Sequence, residues 1–124
     1  MAETEKITIN SNVVDLGKID LLVEQGFYSN RTDFIKTSIR NQLTSHSRDI
    51  DHVIEEKSYA IGIVHYSRKN LENLLEKNKV LDIKVVGMLV IDDDVDLDLA
   101  RKTIKSIIVS GVFRANSKVK DFFK

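Results

Sequence analysis

The chain has 124 residues, 42% of them apolar and 31% charged, enough for one ordinary domain or two small ones of normal globular composition. It has no eighteen-residue apolar run to span a membrane, no signal-peptide core in its polar residues 1–6, and no cysteine for disulfides or thiolate metal sites, all of which fits a cytoplasmic protein. Nineteen basic and nineteen acidic residues give zero net charge, so any contact with a polyanion must depend on where the charges sit.

Residues 5–10, Glu-Lys-Ile-Thr-Ile-Asn, alternate polar and apolar with β-branched residues at the centre, which predicts a short half-buried strand. Asn12 is a candidate N-cap, with Asp15 three residues on. Val13, Leu16, Ile19, Leu22 and Val23 then follow helical spacing, and Gly26 is a natural stop. Gly17 costs that helix roughly 1 kcal/mol relative to alanine, which a close helix contact would explain. A second helix begins with a cap formed by Ser29 and Thr32 or by Asn30 and Asp33. Its apolar stripe is Phe34, Ile35, Ile39 and Leu43, while Lys36, Arg40 and Asn41 face outward. Residues 46–57 are polar except for Ile50, Val53 and Ile54, and read as a linker helix or an extension of the second helix.

The texture then changes. Strand-like runs at Tyr59–Tyr66, Ile83–Ile91 and Ile107–Ala115 alternate with helix-like runs at Arg68–Lys79, Leu97–Ser106 and Ser117–Phe123. Val85-Val86-Gly87-Met88-Leu89 aligns with Val109-Ser110-Gly111-Val112-Phe113, and Ala60-Ile61-Gly62-Ile63-Val64 is a fainter third copy one residue out of phase. The expected fold class is therefore α+β. Residues 1–45 form a dimeric β-α-α unit, 46–57 a linker helix, and 58–124 a small domain of repeated strand–helix units. Because a helix returns the chain between strands, those strands should run parallel. Strand positions such as Ile83, Val85, Leu89 and Ile91 are apolar and lack proline, so an outer strand would expose an attractive edge, with Ile91 and Phe113 as the positions to alter if association is to be weakened.

A six-residue strand and two helices bury little alone, and without cysteine the economical remedy is dimerisation. Two copies of the strand pairing antiparallel would put Ile7 and Ile9 over the helices and present Lys6, Thr8 and Asn10 on the opposite face. A two-stranded ribbon fits the DNA major groove, and these three side chains are types that read base edges. The N-terminus of the second helix, at Ser29, Asn30 and Arg31, favours a phosphate oxygen.

Lys6-Ile7-Thr8-Ile9-Asn10, Leu16 through Val23, and Gly26-Phe27-Tyr28-Ser29-Asn30-Arg31-Thr32-Asp33-Phe34-Ile35 together resemble the ribbon-helix-helix (CopG/MetJ/Arc-like) transcriptional regulators, CopG-like members in particular. The resemblance covers about 45 residues. It implies an obligate dimer on double-stranded DNA, with Lys6, Thr8 and Asn10 on the base-reading positions and Ser29, Asn30 and Arg31 at the phosphate-clamping turn. The expected function is a sequence-specific regulator, in the repressor role, associated with the nucleoid. The region 58–124 would join dimers into tetramers or longer arrays, or else sense an effector. Nickel-responsive members add a sensor domain, but His46, His52 and His65 do not form that metal-binding pattern.

No metal, cofactor or catalytic site is expected. Asp92, Asp93, Asp94, Asp96 and Asp98 lack the glycine and glutamate of a calcium loop and read as a polar turn leading into a helix. Gly62, Gly87 and Gly111 lack the spacing of a phosphate loop. No nucleophile, base and orienting acid come together, so an enzyme is not expected. Two other functions stay open: the antitoxin of a toxin–antitoxin pair, and a DNA-coating partition-type protein.

Overall fold

The computed structural model describes residues 4–124; residues 1–3, the start of the polar N-terminal stretch, lie outside the described residues. The chain divides into two compact units, Met1–His52 and Val53–Lys124.

In the first unit, helix α1 spans Val13–Glu24 and α2 spans Arg31–Ser45. Asn12 caps α1: its side-chain oxygen accepts from the amides of Val14 (2.8 Å) and Asp15 (3.3 Å). The helix ends at Gly26, whose φ of 85° lets the Gly26 amide donate to the Val23 carbonyl and the Phe27 amide to that of Leu22. Asn30, not Ser29, is the side chain that caps α2; its oxygen accepts from the Asp33 amide at 2.8 Å. Helix α3, Ser47–Lys57, follows a single turn residue, His46, and is separate from α2.

The strand expected at residues 5–10 does not form in the single chain: the described residues ahead of α1 carry no regular structure. A strand exists by its ladder of hydrogen bonds, and among the described residues of its unit no neighbouring strand supplies one. The helices show the same incompleteness. No described side chain of this unit is buried, and Ile7, Ile9, Val13, Val14, Leu21 and Phe27 are all more than half exposed. Gly17 likewise has nothing within 4 Å of where a Cβ would stand, so the close helix contact expected there is absent from the single chain.

The second unit contains β1 (Ala60–Tyr66), α4 (Arg68–Glu76), β2 (Leu81–Ile91), α5 (Leu97–Thr103), β3 (Ile104–Arg114) and α6 (Ser117–Phe122). Its strands form a parallel sheet in the order β1-β2-β3. Alternate residues of β2 (Ile83, Val85, Leu89, Ile91) pack with Leu71 of α4, Leu99 and Ala100 of α5, and Val119 of α6 in one core. Since β2 is the central strand, those four residues are core and do not line an edge; the edges belong to β1 and β3. Ile91 is 1% exposed and Phe113 packs against the same core, so a charge at either would disrupt folding before it reported on association.

α5 stops at Thr103, three residues short of the expected Ser106. The buried Thr103 hydroxyl donates back to the Leu99 carbonyl at 2.8 Å, and Ile104, 2% exposed, already pairs with Leu81 as strand. Register sets Gly62 beside Gly87 and Gly87 beside Gly111. All three have φ between 122° and 134°, and a Cβ on Gly87 or Gly111 would collide with the carbonyl oxygen of the preceding glycine in the row.

Candidate nucleic-acid interface

Lys6, Thr8 and Asn10 are exposed on the segment that precedes α1. Asn10 borders a surface hollow of about 410 Å³ with Ile9, Leu16, Ile19, Arg31 and Ile35. The hollow's floor is apolar and α1 and α2 both contribute to it, so it can receive side chains from a second copy of the same segment. Asn10 and Arg31 therefore share one hollow, whereas Lys6 and Thr8 do not border it.

Ser29, Asn30 and Arg31 stand in sequence at the start of α2, but each has a local task. The Ser29 amide donates to Asp33 Oδ2 at 2.9 Å, so a carboxylate already occupies part of the positive helix end. Asn30 is the cap. Arg31 donates from Nε and Nη2 to the two carboxylate oxygens of Asp20 on α1, both at 2.8 Å. That fork fixes the α1–α2 corner together with the edge-to-face pair of Tyr28 and Phe34, whose ring centroids are 5.0 Å apart. The Arg31 hydrogen bond, and then its charge, hold the Asp20 carboxyl below its ordinary range; Asp20 correspondingly raises Arg31. A carboxylate lowered on folding stabilises the fold above its unfolded pKa, and that contribution is lost as pH falls through the lowered value. The fork is thus intact at neutral pH and opens in acid.

Asp20 was not legible as a partner because its pairing with a residue eleven positions on depends on how the corner turns. Asp33 was legible, as the partner of Asn30 in one of the two possible caps.

In the second unit the loops after the three strands are laced together. His65 Nε2 lies 2.5 Å from Asp92, the Arg68 guanidinium donates to the Asp94 carbonyl, and Asn116 Nδ2 donates to the carbonyls of Asp93 and Val95. Asp96 caps α5 through the Leu99 amide at 2.7 Å. The acidic run therefore serves the connections between strands and helices. Among the described residues no group of three or more His, Asp or Glu is placed to hold a metal ion, and no helix is long and apolar enough to cross a membrane.

The first unit is thus two capped helices joined by a glycine turn and preceded by an alternating segment, with no buried side chain among the described residues. The chain belongs to the ribbon-helix-helix transcriptional regulator family, whose sequence profile matches residues 2–120. The match runs through both units, well past the 45 residues in which the resemblance is legible. It makes the chain one of a family of DNA-binding regulators that dimerise and are typically non-enzymatic. No curated protein and no solved structure matched the chain.

Proposed function

We propose that this protein is a sequence-specific repressor that inserts an antiparallel ribbon, made of residues 5–10 from two copies, into the major groove of its operator. The observation that carries the reading is a helix pair with no buried side chain beneath a segment whose Ile7 and Ile9 are 73% and 72% exposed. Pairing two such segments covers both isoleucines and turns Lys6, Thr8 and Asn10 toward base edges. Residues 1–45 bind DNA, 46–57 connect, and 58–124 add self-association to the ribbon contact. Footprinting of the full chain on DNA upstream of its own gene tests the proposal: protection of a short two-fold site supports it, and uniform coating supports a partition-type role instead.

Ser29, Asn30 and Arg31 hold a phosphate on each side of the ribbon in this reading, Arg31 through the N–H groups that Asp20 leaves over. Arg31→Ala should then weaken specific and random DNA about equally and reduce the salt dependence by about one charge per site. Asp20→Ala distinguishes direct contact from positioning. If Arg31 touches phosphate, Asp20→Ala leaves affinity unchanged or raises it; if Arg31 acts only by fixing the corner, Asp20→Ala weakens binding as much as Arg31→Ala does.

A further inference from the structure

Parallel sheets are normally covered on both faces, because the connections that return the chain lie across them. Here α4, α5 and α6 all contribute to the core on one side. The residues that alternate with the core positions form the other face. Its middle is Ile61 and Ile63 from β1, Val86 and Met88 from β2, and Ile108 and Val112 from β3, with no charge among them. Ile61, Ile63 and Ile108 on the outer strands are 65%, 48% and 46% exposed, whereas Met88 between them is 7% exposed and Val86 and Val112 are half-buried. Asp82 begins the β2 row, and Lys84, level with Ile108, closes this end of the face by donating from Nζ to the Lys57 carbonyl at 3.2 Å.

We infer that this face pairs with the same face of the second chain in the ribbon dimer. The inference rests on the ribbon reading for the presence of that second chain, and on the face itself for the contact. Size favours this occupant. Three strands about 4.8 Å apart, taken seven residues long at about 3.3 Å each, present roughly 300 Å² per copy. Two such faces bury about half of the ~1,200 Å² at which free-standing protein interfaces begin. A contact that small forms when the partner is already held nearby. Dimerisation of residues 1–45 does this, since the second unit follows in the same chain, the boundary between the units falling within α3, so that two second units share each dimer and meet without a separate encounter. Face-to-face contact on a two-fold axis is self-complementary and closes, so it ends at two copies.

The chain's lack of cysteine makes the test direct. Ser110, exposed on the uncovered face, is replaced by cysteine in the full chain, and Glu72→Cys on the exposed side of α4 is the reference. Under oxidising conditions in dilute solution, Ser110→Cys should cross-link at least tenfold faster than Glu72→Cys, at a rate independent of protein concentration. Adding Ile63→Glu should abolish the difference while light scattering still gives a dimer. A dimer in which Ser110→Cys and Glu72→Cys cross-link equally overturns the face pairing and leaves the ribbon intact. Cross-linking that speeds up with concentration overturns pairing within the dimer in favour of contact between dimers. A monomeric parent chain overturns the ribbon reading, and the tethered pairing with it.

Discussion

Replacing Lys6, Thr8 and Asn10 together with alanine is expected to abolish specific DNA binding while the protein remains a dimer. The three positions alternate with Ile7 and Ile9, so truncating them removes hydrogen-bonding groups from one face and leaves the apolar face complete. A good side-chain pair with a base edge is worth about 1–3 kcal/mol of discrimination, and the dimer carries six such side chains. Preference for the operator over random DNA should therefore fall by a factor of about a thousand or more. Gel shift against both DNAs, with light scattering on the same samples, decides it. A triple variant that falls to monomer shows that these side chains build the dimer. One that keeps its operator preference shows that the bases are read elsewhere.

The second large effect is expected in the sheet. Gly87→Ala should unfold the second unit or cost it roughly 3 kcal/mol or more, a large share of the 5–15 kcal/mol typical of a whole domain. Two causes act together. The residue has φ of 134°, where side chains are strained, and its Cβ would meet the Gly62 carbonyl oxygen, which is backbone in a paired strand and cannot swing aside. Gly62 supplies an internal comparison: its φ is 122°, but nothing lies within 4 Å of the added Cβ. Gly62→Ala should cost only the backbone strain, about 1–3 kcal/mol. Urea unfolding followed by circular dichroism measures both. Equal losses would mean that the collision is relieved by a shift of the strands, and a Gly87→Ala variant within about 1 kcal/mol of the parent would refute the account.

Much of this architecture could be read from particular residues. Gly26 ends α1, Asn12 caps it, and the apolar alternation of Ile83, Val85, Leu89 and Ile91 is the core side of β2. Val85 and Val109, aligned in the sequence, are neighbours across β2 and β3. What could not be read depends on distance through space. Periodicity shows that Ile91 is apolar but not that β2 is central, so a residue expected to serve association proved to be core. Capping signals allowed Ser29 or Asn30, and only backbone direction selects Asn30. The proposed interface is the least complete part. Its residues can be named from their alternation, whereas the ladder that would order residues 5–10 needs a second chain.

The two units differ in a way that reaches beyond structure. One holds ten residues in a closed core and the other holds none. The sheet unit, Val53–Lys124, carries its own core, while Met1–His52 has no buried side chain among its described residues and, in a family that dimerises, gains its order by mass action. With a dimer as the binding species, operator occupancy at low abundance rises with the square of the amount of protein. Halving the number of chains in a cell would cut occupancy about fourfold. A regulator that binds DNA only as a dimer responds to its own dose more steeply than linearly, because two chains must meet before either can bind.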